Sequence, residues 1–205
     1  MKSILVSICL LFTTLGFPQG YEYFIMESEV DEFDVFGDDS YESNLTIDGN
    51  LNQKLEISVG SEVSAPDADG STFVAKNTID ANMKTVWLTP DNGKNALIEY
   101  VIDIEDSQFS SATIYQIAFF NGWRKDYQTW KDYSRIKKVS LTINDRPYAE
   151  ITLDDTYKYQ KIDLDKMKID KTRRYRFRFR VMEMYPGKKH EQVAISDVQF
   201  VGKAK

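Results

Sequence analysis

Between residues 173 and 184 the chain alternates with a period of two. Tyr175, Phe177, Phe179 and Val181 interleave with Arg174, Arg176, Arg178 and Arg180. Side chains two apart on a strand share a face, so the segment predicts a β-strand with an apolar side and a cationic side. Four guanidinium groups spaced roughly 7 Å apart repel one another unless neighbours compensate. Two readings follow. Asp and Glu on adjacent strands, for example the acidic KIDLDKMKID segment (161–170), pair with the ladder, or the ladder is an anion-binding face for sulfated or phosphorylated polymers.

Other runs repeat the pattern. ALIEYVIDI (96–104), ATIYQIAFF (112–120), RIKKVSLTI (135–143), PYAEITL (147–153) and AISDVQFVG (194–202) are rich in β-branched and aromatic residues and predict strands. The turn Asn144-Asp145-Arg146-Pro147 joins two of them. Seven to nine short strands, polar turns and no helical pattern predict an all-β, antiparallel β-sandwich. The domain is predicted over residues 55–205, with its core between Leu55 and Gly202.

Ahead of it, residues 1–20 combine Lys2, the apolar run Ile4–Phe12 and small or turn residues up to Gly20, the pattern of a secretory signal. Cleavage is expected between Gly16 and Gly20, and the alternative is an N-terminal membrane anchor. Cleavage would leave no transmembrane segment. It would also remove Cys9, the only Cys, which suits a bacterial secreted or periplasmic protein better than a disulfide-forming route. Residues 21–54 form an acidic arm: positions 21–53 hold ten Asp or Glu and no Lys or Arg. From Lys54 onward 25 basic residues face 22 acidic ones, a balance of +3 within a chain of net charge −6. That acidity argues against a nucleic-acid partner. The aromatic residues of the arm could dock on the domain or on another protein, or the arm is a solvated linker.

Catalytic signatures are missing. His190 is the only His, and no GxSxG, HExxH, P-loop, GxGxxG or CxxC pair occurs, so a non-catalytic role is expected. The richest segment is FFNGWRKDYQTWKDYSRIKK (119–138), with two Trp, two Tyr, four Lys and two Arg between two predicted strands. Rings beside fixed donors are the chemistry of a binding surface.

Three pieces in order carry a resemblance: VAKNTIDANMKTVW (74–87); NGW (121–123) with Lys125, Tyr127, Tyr133 and SRIKK (134–138); and MYPGK (184–188) with AISDV (194–198). Together they resemble the discoidin-like, galactose-binding-like (F5/8 type C-like) jelly-roll sandwich, and within it the branch of the NAD glycohydrolase translocation domain. That pattern reads approximately A-x-N-x-x-D-G-x-x-x-T-x-W, then N-G-Y-x-K and S-R-I-K-K, then Y-P-G-x-K and I-S-E-I. Here Ala81 replaces its Gly, Trp123 its Tyr and Asp197 its Glu. The resemblance implies a structural Ca²⁺ held by Asp80, Asn82, Thr85, Ala194 and Asp197, the alternative being that Asp80 caps a turn and Asp197 bonds backbone amides. It implies core burial for Trp87. It implies a glycan or envelope polysaccharide as partner, bound by Trp123, Lys125, Tyr127, Trp130, Tyr133, Arg135, Tyr185 and Lys188 if the loop and the YPGKK turn share one end of the sandwich. The rival is a protein–protein module of the envelope, docking through the arm or the 119–138 loop.

Overall fold

The computed structural model describes residues 24–30, 49–52, 54–61 and 73–205. The expected signal segment and most of the acidic arm lie outside the described residues. The strands are β1 (Phe24–Glu27), β2 (Glu29–Val30), β3 (Glu56–Ser61), β4 (Trp87–Leu88), β5 (Leu97–Asp103) and β6 (Ser111–Asn121). They continue with β7 (Arg135–Ile143), β8 (Arg146–Thr152), β9 (Gln160–Asp170), β10 (Tyr175–Tyr185) and β11 (Ala194–Ala204). Between β6 and β7 lies a six-residue helix, α1 (Tyr127–Asp132), where the sequence reading had no helix.

Two sheets pack face to face. The six-stranded sheet runs β1-β8-β7-β10-β5-β3 and the five-stranded sheet β2-β9-β6-β11-β4. Every pair is antiparallel except β1–β8, which is parallel and sets Ile25 opposite Glu150. The predicted all-β sandwich is the fold. Residues ahead of Leu55 join it: Leu51 is buried in the core and its N–H donates to Phe200 O at 2.8 Å.

The alternation in β10 does what its period implies. Tyr175, Phe177, Phe179 and Val181 are all buried. Phe179 meets Phe119 of the facing sheet edge-on at 5.2 Å, and Tyr100 meets Phe200 at 5.5 Å. The Tyr100 hydroxyl is satisfied by Thr78 Oγ1 at 2.9 Å, which allows a phenol into the core. Trp87 is fully buried, as expected.

Three of the four outward arginines, Arg174, Arg176 and Arg178, are charge-compensated, but by different acids than the sequence suggested. KIDLDKMKID is β9, in the other sheet. Arg178 lies between Glu99 and Asp145, Arg174 holds Asp103 at 2.6 Å, and Arg180 donates to Asn95 O at 2.9 Å. The register explains this, because β10 pairs with β5 so that Arg178 faces Glu99 directly. A shallow groove of about 630 Å³ runs over this face, lined by Gly60, Leu97, Ser140 and Thr142 beside the paired charges.

Candidate functional site

The end of the sandwich where β6 stops and β7 starts is organised by Asn121. Its Nδ2 donates to Ile136 O at 2.7 Å and its Oδ1 accepts from Ile136 N–H at 2.9 Å. The side chain bridges from one sheet to the other. Gly122 follows with φ +86° and forms a bridge to Ile195. A Cβ there would sit 2.5 Å from Trp130 Cδ1, so the ring of Trp130 packs directly on the glycine. Trp130 Nε1 donates to Asn121 O at 3.0 Å.

Helix α1 forms locally because Asp126 caps it: Oδ1 accepts from Thr129 N–H at 2.6 Å and Oδ2 from Thr129 Oγ1 at 2.9 Å. Its other end is closed by the YPGKKH turn. Lys188 N–H donates to Lys131 O at 2.9 Å, and the amides of Lys189 and His190 donate to Asp132 O at 3.0 and 2.9 Å. These bonds satisfy carbonyls that a helix end leaves orphaned. Gly187 is essential to the fit, since a Cβ would lie 2.5 Å from Asp132 O, His190 O and Tyr133 C. The loop and the turn therefore form one unit.

The side chains fall into two aromatic groups. In the first, Trp123 packs on Phe73 at 5.4 Å and Tyr133 at 5.1 Å, and Tyr133 stacks on His190 at 4.3 Å. Trp123 Nε1 donates to Lys84 O at 3.0 Å, and Lys125 Nζ lies 5.9 Å from its ring. In the second, Tyr127 stacks on Trp130 at 5.7 Å with 10° between planes, and Tyr157 meets both edge-on. Tyr127 is 50 % exposed, while Trp130 is 6 % exposed.

The predicted binding residues thus separate. Lys125, Tyr127 and Lys188 are exposed, and Trp123 and Tyr133 are half-buried. Trp130 and Arg135 are buried, and their polar groups are spent inside the protein. Arg135 pairs with Asp155 through Nε at 2.7 Å and Nη2 at 2.9 Å, donates to Tyr133 O at 2.7 Å, and covers the Trp130 ring at 4.6 Å. Tyr185 is also turned inward, its hydroxyl donating to Leu153 O at 3.1 Å. These three hold the surface in place and do not present it. Sequence reasoning missed Lys131, whose Nζ sits 3.8 Å from the Tyr127 ring centroid, and Tyr157. The spacing of Tyr127 and Lys131, four apart, would have found the first had the helix been recognised.

Beside this end lies the loop expected to hold a metal. Ala81 keeps the left-handed backbone of the glycine it replaces, at φ +57°. Asp80 accepts from Asn82 N–H at 2.9 Å and from Thr85 Oγ1 at 2.8 Å. Across from it Asp197 is fully buried and accepts from Gln199 Nε2 at 2.7 Å through Oδ2. Among the described residues its Oδ1 has no hydrogen-bond partner. Burial pushes the Asp197 carboxyl up to about 8, against the pull of the Gln199 bond, and the charge of Asp80 pushes the same way. Asp80 is itself raised by burial. Two carboxylates, a hydroxyl and carbonyl oxygens are a hard-donor set, and the orphaned Oδ1 fits a hard cation. The Ala194 carbonyl already accepts from Gly122 N–H at 3.0 Å. Among the described residues no three His, Cys, Asp or Glu side chains gather at one point.

Comparison with known proteins places this geometry. Residues 48–201 match the family model of the NAD glycohydrolase translocation F5/8 type C domain. In fold the chain is similar to the CBM32-1 and CBM32-2 domains of Clostridium perfringens ZmpB. Identity is 11 % and the TM-score 0.57, over 91 % of this chain and 43 % of that one. The same domains solved in complex with GalNAc give 13 % identity and a TM-score of 0.54, over 90 % and 42 %. A putative chitobiase fragment from Bacteroides thetaiotaomicron gives 16 % identity and a TM-score of 0.50, over 79 % and 96 %. The chain thus spans about two-fifths of the first two structures. No curated protein sequence matches it.

Proposed function

We propose, for a chain that belongs to the NAD glycohydrolase translocation F5/8 type C domain family, that the α1 end of the sandwich binds a saccharide. The observation that carries this reading is Tyr127, a half-exposed ring held rigid by a stack on Trp130 and an edge contact from Tyr157. A sugar site needs a flat apolar face and a few donors, and a face already immobilised loses little entropy on binding. Lys125 and Lys188 supply flexible donors at the rim, and Trp123 and Tyr133 a second half-buried surface. Trp130, Arg135 and Tyr185 act as supports. The fold shared with carbohydrate-binding modules supports the same reading.

The module so proposed is non-catalytic. The ring of its single His, His190, is stacked on Tyr133. It works in a secreted or periplasmic bacterial setting, as the sequence of residues 1–20 implies. Ca²⁺, when bound, would be held by Asp80, Asp197, Thr85 and oxygens of Asn82 and Ala194, and would neutralise the buried carboxylate. The rival protein-docking role for the acidic arm has less to recommend it, since residues 24–27 are already paired with β8.

A glycan array probed with residues 21–205 tests the proposal. Binding that Tyr127→Ala abolishes supports it; a folded protein that binds no glycan refutes it.

A further inference from the structure

The cations around the exposed ring are unequally matched. Lys189 Nζ is held by Asp132 at 2.8 Å, and Lys137 and Lys138 share Glu183. Lys84, Lys125, Lys131 and Lys188 have no carboxylate partner among the described residues. Three of the acids of this end are already engaged, while Glu191 is exposed. Asp126 is spent on the helix cap, Asp132 on Lys189 and Gln128, and Asp155 on Arg135. This contrasts with Arg174 and Arg178 of β10, each of which holds an acid of β5. The domain from Lys54 onward carries a balance of only +3, yet four ammonium groups without a carboxylate partner among the described residues gather at one loop end.

Lys131 Nζ lies 3.8 Å from the centre of the Tyr127 ring. The backbone amide of Lys188 is bonded to the Lys131 carbonyl, so the two lysines spring from adjacent points. An ammonium resting on an exposed aromatic face is held only weakly. A stronger acceptor can draw it off without disturbing the fold, because Lys is a flexible point charge.

We infer that the saccharide taken by this end carries an acidic substituent, a carboxylate or sulfate ester, and that Lys131 and Lys188 are its counter-charges with Lys125 at the Trp123 side. This rests on the saccharide reading above and names the class of sugar. The sugar ring stacks on the Tyr127 face that Lys131 vacates, and the ammonium turns outward to the acid group. Ammonium donors are monodentate, so they accept either acid without the fork geometry an arginine would impose.

The test uses residues 21–205, which include every described element, in affinity electrophoresis through matched gels. Polygalacturonate is set against its fully methyl-esterified form, dextran sulfate against dextran, and polyglutamate serves as a polyanion that is not a saccharide. The expected result is retention by at least one acidic saccharide, at least tenfold weaker retention by its neutral counterpart and by polyglutamate, and at least a tenfold loss in Lys131→Gln/Lys188→Gln at unchanged melting temperature. The carboxylate and sulfate arms tell which acid is recognised. Equal retention of charged and neutral forms, or a double variant that binds as the wild type does, overturns the inference and leaves saccharide binding standing. Equal retention by polyglutamate overturns it too, since charge alone would then suffice. So does failure of every acidic polymer, whereas the broader reading falls only if neutral glycans fail as well.

Discussion

The Asn121 carboxamide forms both of its strand-like hydrogen bonds with one residue, Ile136, donating to its carbonyl at 2.7 Å and accepting from its N–H at 2.9 Å. Asn121 ends β6 in one sheet and Ile136 lies near the start of β7 in the other. One side chain thus fixes where the two layers separate to release α1. Asn121→Ala leaves a buried donor and a buried acceptor unsatisfied, at roughly 1–3 kcal/mol each. Urea unfolding should show a loss of about 2–6 kcal/mol. A loss below about 1 kcal/mol would mean the bridge is incidental.

Gly187→Ala tests the union of turn and helix. Its Cβ would meet three backbone atoms at 2.5 Å, and backbone cannot give way as a flexible side chain can. The turn should lift from α1, releasing the carbonyls of Lys131 and Asp132. Limited proteolysis should then cut within residues 185–191 and saccharide binding should fall. Wild-type protease resistance would contradict the arrangement.

Arg178→Gln on the outer sheet face should change little. Arg178, Glu99 and Asp145 are about a third or more exposed, and exposed ion pairs contribute about 0–1 kcal/mol. Thermal unfolding should shift by a few degrees at most, and binding at the α1 end should be unchanged. Loss of saccharide retention in this variant would move the site to the β10 face.

Asp197 gives a pH signature. Its carboxyl titrates near 8 in the folded protein against 3.8 for the ordinary group, so folding takes up a proton between those values. Its contribution to stability is therefore fully present below about pH 4 and is lost as pH rises toward 8. In chelator, the melting temperature of wild type relative to Asp197→Asn should decline across that window. Asp80, also raised, acts in the same direction. Ca²⁺ competes with the proton, so its stabilisation should grow with pH and vanish in Asp197→Asn. A Ca²⁺ effect that survives the substitution would remove Asp197 from the site.

Much of the fold was legible because period two is a strong signal wherever one face is buried. RIKKVSLTI was read as residues 135–143, the limits of β7, and the rings of β10 point inward as their spacing required. Strand order was not legible. Nothing local in KIDLDKMKID tells which sheet it joins, and so the partners of the arginines were misplaced. Helix α1 escaped notice because six residues are too few to show a helical period, although Asp126 and Thr129 carried its cap. Within the candidate site, the proximity of loop and turn was foreseen only as a condition. Which rings face outward was not, since Trp130 and Tyr127 differ in exposure through the packing of Gly122 and Tyr157 around them.

The role proposed for Tyr127 and its neighbours is to receive a saccharide. Protein-observed NMR titration of residues 21–205 with bacterial envelope polysaccharide fragments addresses it most directly. Saturable shifts are expected, confined to the side chains and amides of residues 123–133 and 185–190 and lost in Tyr127→Ala without loss of the core spectrum. Shifts that centre on the β10 arginine row, or that persist unchanged in Tyr127→Ala, would contradict it.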